Sequence, residues 1–154
     1  MKTRLLAFGL VLIALIIFFK PTDKDKVEWG LNSDTVEFIS SIGLIDKGEE
    51  IEMFDCFAGF NGYKQSGNMI TNFRLATYWI NEDSKVINSA YYSNIESLIE
   101  VDQISTQKYA SYLEVHKADG TNFNLYVLGD STRTYEFFKK AKENWRQSKK
   151  PIIE

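Results

Sequence analysis

Residues 111–127 read SYLEVHKADGTNFNLYV. Apolar and polar side chains alternate through the first six positions, which is typical of a β-strand that buries one face. A tight loop at 118–120 follows and contains Asp119-Gly120, a dipeptide favoured in hairpin turns. Residues 123–127 then form a second run that is rich in aromatic and aliphatic side chains. The stretch therefore predicts an antiparallel hairpin and makes antiparallel sheet the expected basis of the fold.

Further strand-like runs precede the hairpin, and turn residues separate them. The predicted strands cover residues 50–57, 70–80, 85–90 and 95–104. A long turn with three glycines is expected at 58–68, and a shorter turn is expected at 81–84.

Helical patterns flank the strands on both sides. Residues 34–42 predict a short helix with Asp34 as its cap and Gly43 as its stop. Its apolar positions are Val36, Ile39 and Ile42. A longer amphipathic helix is expected after Gly129-Asp130-Ser131, with an apolar stripe made of Tyr135, Phe138, Ala141 and Trp145. The expected class is α+β, mainly β, with a curved antiparallel sheet or partly open barrel capped by the C-terminal helix.

The N-terminal segment is the most apolar part of the chain. Fifteen uncharged residues, Leu5 to Phe19, follow the cations Lys2 and Arg4 and precede Lys20. As a helix they would span about 22 Å, less than the roughly 30 Å of a bilayer's hydrocarbon core, which suits a short transmembrane anchor or the core of a signal peptide. Residues 17–22 lack a small-residue cleavage triplet, and this favours an uncleaved signal anchor. The positions that define the predicted anchor are Leu5, Leu10, Ile13, Ile16 and Phe19.

The anchor predicts a single-pass membrane protein in two parts. Residues 1–26 form the transmembrane signal anchor and a linker, and residues 27–154 form one domain. Positive charges on the two sides of the anchor nearly balance. A short N-terminal tail is typical of an inside-N signal anchor, so the domain is expected outside the cytoplasm. Membrane lipid is the expected partner of the N-terminal helix.

Charge is divided unevenly along the chain. Residues 27–132 carry six basic and sixteen acidic side chains, whereas residues 133–154 carry seven basic and three acidic ones. The acidic body argues against nucleic acid as a partner, because phosphate binding needs a positive surface. The basic C-terminal segment fits either the negative end of a helix dipole or docking on anionic lipid, and we favour the first.

No residue pattern points to catalysis or to a metal. His116 is the only histidine and shares the polar face of its strand with Glu114, so a surface role is expected. Cys56 is the only cysteine and is expected to be a packed core thiol. The acidic pairs Glu49-Glu50 and Glu82-Asp83 are expected to be solvated. We therefore expect no enzyme activity, no metal and no cofactor, and the sequence names no binding residue.

Three segments share a pattern that points to a family. They are Gly48-Glu49-Glu50-Ile51, Met69-Ile70-Thr71-Asn72-Phe73-Arg74-Leu75 and Ser93-Asn94-Ile95-Glu96-Ser97-Leu98. Together with the late Asp119-Gly120 hairpin and Trp145, they resemble the bacterial pleckstrin-homology-like and GRAM-type domains, over about residues 44–147. The resemblance implies a seven-stranded pair of sheets capped by a C-terminal helix. It also implies a binding or scaffolding module, which is what most members of that family are.

One departure from the family bears on lipid recognition. Phosphoinositide-binding members use basic residues around the first loop, where this chain has Lys64 and Arg74 at the ends but Asn72 between them. The acidic strand region would also repel anionic headgroups. We therefore expect no phosphoinositide binding.

Two functions remain open at this point. The favoured one is a membrane-anchored, non-catalytic binding or scaffolding module that contacts a protein or peptide. The alternative is a peripheral accessory that contacts lipid through the basic C-terminal helix. The acidic strand region favours the first, because it opposes anionic headgroups. Adjacent strand residues face opposite sides, so Tyr78-Trp79 and Tyr91-Tyr92 either leave an apolar surface patch for a partner or are covered on both faces by the core and a helix.

Overall fold

The computed structural model describes residues 31–56, 62–101, 111–127 and 131–150. In chain order the elements are helix α1 (Ser33–Ser41), strand β1 (Ile51–Asp55), a 3-10 turn (Gly62–Lys64), β2 (Ser66–Thr71), β3 (Arg74–Ile80), β4 (Lys85–Tyr91), a second 3-10 turn (Tyr92–Asn94), β5 (Ile95–Val101), β6 (Tyr112–Lys117), β7 (Asn122–Tyr126) and helix α2 (Ser131–Ser148). The chain is mainly β, as expected. Its described strands form two antiparallel sheets, with orders β1-β2-β3-β4 and β5-β6-β7, and do not close into one barrel.

The predicted strand 70–80 is wrong, because the chain turns back on itself at residues 72–73. The hydroxyl oxygen of Thr71 accepts hydrogen bonds from the backbone N–H of Phe73 (3.1 Å) and of Arg74 (2.9 Å), which closes a tight turn. Ile70 and Leu75 form the cross-strand pair next to it. A run of β-branched and aromatic residues therefore contains the end of β2, a turn and all of β3.

Strand β2 also begins inside the region predicted as a turn. Ser66 to Asn68 pair with β3, although Gly67 is an unfavourable strand residue. Its lack of a side chain is needed here, because a Cβ at this position would lie 2.5 Å from the Phe54 ring and 2.6 Å from the Tyr78 ring. The glycine therefore marks close packing within a strand. Residues 58–61 of the predicted turn, and residue 57 of the predicted strand before it, lie outside the described residues.

Helix α1 lies close to its predicted position but is capped differently. Asn32, not Asp34, is the N-cap, and its side-chain oxygen accepts a hydrogen bond from the Thr35 N–H (2.8 Å). Gly43 ends the helix as predicted, with a φ of 77° that a glycine adopts without strain. Of the predicted apolar positions, Ile39 is buried and Val36 is exposed.

Two apolar clusters lie on opposite faces of the first sheet (β1–β4). We call the face that carries Ile70, Leu75 and Ala90 the inner face, because these residues pack with the second sheet (β5–β7) and with α2. The opposite, outer face carries Met69, Ala76 and Tyr78, which pack with Ile39 of α1 and with Leu44. The first sheet is therefore covered on both sides over part of its area.

Helix α2 packs on the second sheet with a stripe that differs from the predicted one. Its buried residues are Thr134, Phe137, Phe138 and Ala141. Tyr135 is 65% exposed, so its place in the predicted stripe is wrong. Trp145 is half-buried against the core and donates its Nε1–H to the Ile95 carbonyl at 3.0 Å.

Basic residues of α2 join the helix to the acidic sheets. Lys140 lies 3.3 Å from Glu52 of β1, and Lys142 lies 2.7 Å from Glu100 of β5. Arg133 contacts the buried carboxylate of Asp55 at 2.5 Å. The positive charge of this segment is thus used in part against the sheets, a role that neither of the two sequence interpretations included.

The predicted membrane anchor, Leu5 to Phe19, lies outside the described residues. Within the part of the chain that is described, no helix combines the length and the apolar character needed to cross a bilayer. Residues 102–104 of the predicted strand 95–104 and Gly129-Asp130 also lie outside. The anchor therefore stays a prediction.

The packing of α2 predicts opposite outcomes for two aromatic residues that are two positions apart. Phe137→Ala should lower the free energy of unfolding by about 3–5 kcal/mol, because the ring is fully buried and its removal leaves a cavity. Tyr135→Ala should change it by less than about 0.5 kcal/mol, because the ring is exposed. Urea unfolding followed by tryptophan fluorescence measures both. Equal destabilisation by the two variants would contradict the helix orientation.

Candidate functional site

A cleft opens where the inner face of the first sheet extends beyond the second sheet. Its volume is about 460 Å³. At one end of the inner face, Ile70, Leu75 and Ala90 are buried in the core. At the other end the face continues as the floor of the cleft, and the edge of β7 forms one wall.

Strand register places two cross-strand rows of side chains on this floor. The first row is Asn68, Thr77 and Asn88, and the second is Ser66, Trp79 and Val86. Because side chains alternate along a strand, both rows share the inner face with Ile70, Leu75 and Ala90. The same face is therefore apolar where it meets the second sheet and polar with an aromatic component where it is open.

The cleft combines apolar surface with uncharged polar groups. Trp79, Val86 and Tyr126 are 48%, 49% and 42% exposed, respectively, and all three line the cleft. The polar groups are carboxamides and hydroxyls, and none of the described residues lining the cleft is charged. A site of this composition suits a ligand that is uncharged where it makes contact, since burying a charge without a partner is costly.

Asn68 connects the floor of the cleft to the β7 wall. Its Nδ2 donates a hydrogen bond to the carbonyl of Tyr126 at 2.6 Å, and its Oδ1 accepts one from the Tyr126 N–H at 3.3 Å. The Thr77 hydroxyl donates to the same Oδ1 at 2.9 Å. Both polar atoms of the Asn68 carboxamide are therefore engaged, whereas no hydrogen bond within the described part of the chain uses the Asn88 side chain.

A second depression of about 530 Å³ lies at the other side of β4. Its lining includes Tyr91, Asn94, Lys117 and Asp119. The two charged groups face each other, with the Lys117 ammonium 3.7 Å from the Asp119 carboxylate. The exposed lining of this depression is more polar than that of the first cleft and contains this ion pair, so the first cleft is the stronger candidate.

The paired aromatic residues behave as the alternation of strand residues predicts. Tyr78 is buried on the outer face, and burial raises the pKa of its hydroxyl, whereas Trp79 points into the cleft. Tyr92 is buried, and burial raises the pKa of its hydroxyl as well, while Tyr91 is exposed. Of the four side chains, Trp79 is the one that faces the cleft.

The expectation that Glu49 is solvated is wrong. Its carboxylate is fully buried and pairs with the buried guanidinium of Arg74, with Nε–Oε1 at 2.9 Å and Nη2–Oε2 at 2.7 Å. The Thr71 hydroxyl donates to the same carboxylate at 2.6 Å. Its neighbour Glu50 is exposed, as expected. The buried position follows from the turn at residues 72–73, which brings Arg74 beside the loop before β1.

Asp46 and Tyr91 extend this ion pair to the surface. Arg74 also donates to the carboxylate of Asp46, and the ring centroid of Tyr91 lies 4.3 Å from the guanidinium carbon. The Tyr91 hydroxyl donates to Asp46 at 2.8 Å, and this bond, followed by the contact with Arg74, lowers the pKa of the Asp46 carboxyl. Burial opposes the charge on Arg74, but the hydrogen bonds and charges of its partners outweigh that effect and raise its pKa.

Other residues singled out in the sequence are not brought together. Lys64 and Arg74 stand at the two ends of the basic pattern that phosphoinositide-binding domains use. Lys64 is exposed, whereas Arg74 is buried and paired with Glu49. Cys56 is half-buried, and burial followed by the nearby Asp55 raises the pKa of its thiol. His116 lies 3.4 Å from Glu114 on the polar face of β6, and both side chains are half-buried rather than fully solvated. Among the described residues no group of three potential metal ligands occurs.

Sequence reasoning identified Trp79 as a possible surface residue but missed the rest of the cleft. Asn68, Asn88 and Asn124 come from three strands and have no shared spacing in the sequence. Their proximity depends on register, which the missed turn at 72–73 determines for β2 and β3. The one available signal was the excess of asparagine at strand positions, where this residue is disfavoured.

Comparison with known proteins gives no further guide to the site. The chain matches no protein-family model, and no curated protein or solved structure is significantly similar to it.

The buried ion pair predicts a strong difference between two adjacent glutamates. Glu49→Gln should lower the free energy of unfolding by about 3 kcal/mol, because it leaves the buried Arg74 without its main counter-charge. Glu50→Gln should change it by less than about 0.5 kcal/mol, since the side chain is exposed. Urea unfolding of the two variants measures this difference. A stability loss in Glu50→Gln equal to that in Glu49→Gln would contradict the structural role of the pair.

Proposed function

We propose that this protein is a membrane-anchored, non-catalytic binding module with a pleckstrin-homology-like domain, and that it contacts a protein or peptide through the cleft. The single observation that carries the proposal is the open, uncharged end of the inner face, where Trp79, Val86 and Tyr126 expose apolar surface beside carboxamides. A monomeric domain gains nothing from exposing these side chains together, whereas a partner would cover them.

The arrangement of strands and helices supports the proposed domain type. Four described strands form one antiparallel sheet, three form the other, and a helix packs at the C-terminal end. The resemblance of the sequence implies the same number of strands and the same closing helix. Most domains of that type bind other molecules and carry out no reaction.

The distribution of charge supports a protein or peptide over a lipid surface. The buried Arg74 is paired with Glu49, and Lys140 and Lys142 of α2 lie beside Glu52 and Glu100. These cations are partly neutralised, so less positive charge remains to attract anionic headgroups.

The predicted anchor supplies the second part of the proposal. A partner in the same membrane would meet the cleft at a high effective concentration, because tethering makes the encounter nearly intramolecular. A modest contact area of the size offered by the cleft would then be sufficient.

Site-specific crosslinking in intact membranes tests this function. A photoreactive amino acid in place of Val86, in the cleft, should form a discrete protein adduct. The adduct should persist in high salt, because apolar contacts are not screened. The same amino acid in place of Tyr135, which is exposed on α2, is the matched control and should not form it.

Trp79→Ala in the same background should abolish the adduct, since Trp79 supplies much of the apolar floor. Adducts of equal yield from both positions would refute the cleft as the contact site. Adducts with lipid alone that disappear in high salt would replace the proposal with the lipid-contacting alternative.

A further inference from the structure

Strand β7 presents backbone groups to the cleft that no other described strand satisfies. In the described sheets β7 pairs with β6 alone. The Lys117 N–H donates to the Thr121 carbonyl at 2.8 Å, and the Val127 N–H donates to the Ser111 carbonyl at 3.3 Å. Hydrogen-bonded pairs alternate along an antiparallel ladder. The N–H and C=O of Asn122, Asn124 and Tyr126 must therefore point away from β6.

Asn68 already occupies one of these outward-facing positions. Its carboxamide both donates to and accepts from the backbone of Tyr126, as one peptide unit of a neighbouring strand would. Two residues earlier, the N–H and C=O of Asn124 point in the same direction, and Asn124 lines the cleft. The edge of β7 is thus hydrogen-bonded by Asn68 at Tyr126, whereas no residue in the described ranges pairs with the outward-facing backbone groups of Asn124.

The surroundings of this edge suit the side chains of an added strand. Alternate side chains of such a strand would face the inner-face row of Trp79 and Val86, and the others would face the side of Asn124 and Tyr126. The Asn88 carboxamide offers a further donor and acceptor on the floor. No charged group among the described lining residues could neutralise a charged ligand side chain.

We propose that the cleft binds an extended peptide segment with uncharged side chains, which adds to the outer edge of β7 through backbone hydrogen bonds to Asn124. This inference rests on the proposed function and specifies the ligand of the same site. Backbone pairing supplies affinity without a sequence requirement, and the cleft supplies the preference for uncharged residues.

Asn124→Pro and Asn124→Ala in the full-length protein, held in detergent micelles, separate backbone from side-chain recognition. Proline removes the outward-facing N–H and leaves the hydrogen bonds to β6 intact, because those belong to Phe123 and Leu125. The probes are terminally blocked peptides of roughly eight residues, built from Val, Thr, Ser, Asn and Tyr and selected for binding to the wild type. Asn124→Pro should weaken binding of the selected peptide by about tenfold or more, and Asn124→Ala by less than about threefold.

Chemically altered probes give a test that does not depend on folding of the proline variant. Backbone N-methylation at alternate residues of the selected peptide should abolish binding to the wild-type protein in one phase and spare it in the other, because alternate N–H groups face β7. Val86→Glu should also abolish binding by placing a charge in the cleft. Equal effects of the two methylation phases would overturn the strand addition, and so would equal losses in Asn124→Ala and Asn124→Pro.

The two proposals can fail separately. If crosslinking from the Val86 position identifies a partner protein, and that partner binds Asn124→Pro as well as the wild type, the cleft remains the contact site and strand addition is refuted. If selected peptides bind in the predicted manner but no protein is captured in membranes, the proposed membrane-bound function is refuted. The proposal that β7 binds peptides by strand addition is then retained.

Discussion

The buried pairing of Arg74 with Glu49 is the constraint on which the first sheet depends. It joins the loop before β1 to the start of β3, and Thr71 at the end of β2 donates to the same carboxylate. Asp46 and Tyr91 connect the pair to the end of β4. A buried ion pair is costly to form unless every member is satisfied. Here the hydrogen bonds supply that satisfaction and hold one corner of the four-stranded sheet together.

That corner determines where the inner face is closed and where it is open. The turn at residues 72–73 sets the register of β2 against β3, and β4 follows in register with β3. Near the turn the inner face carries Ile70 and Leu75, which pack with the second sheet and α2. Farther from the turn it carries asparagine, threonine and tryptophan, which do not contribute to the core. The same ion pair also neutralises the charge of Arg74, which could otherwise attract an anionic ligand.

Local chemistry explains which parts of the fold the sequence predicted. The Asp119-Gly120 hairpin, the strand at 85–90 and the end of α1 at Gly43 depend on neighbouring residues, and the structure has all three. The separation of β2 from β3 depends on the Thr71 hydroxyl and on ring packing against Gly67, which no periodicity reveals. Burial of Glu49 and the meeting of three asparagines depend on contacts between distant residues. The sequence did not reveal the site, because its residues are brought together only by the register in which the strands pair.

Residue-resolved amide hydrogen exchange tests the central claim, that β7 has an open edge beside an edge position capped by Asn68. In the full-length protein without ligand, the amide of Asn124 should exchange rapidly while those of Phe123 and Leu125 are protected by β6. The amide of Tyr126 should be slow in the wild type and fast in Asn68→Ala, because the Asn68 side chain is its acceptor. Protection of Asn124 equal to that of Leu125, or a slow Tyr126 amide that is unchanged by Asn68→Ala, would contradict the account.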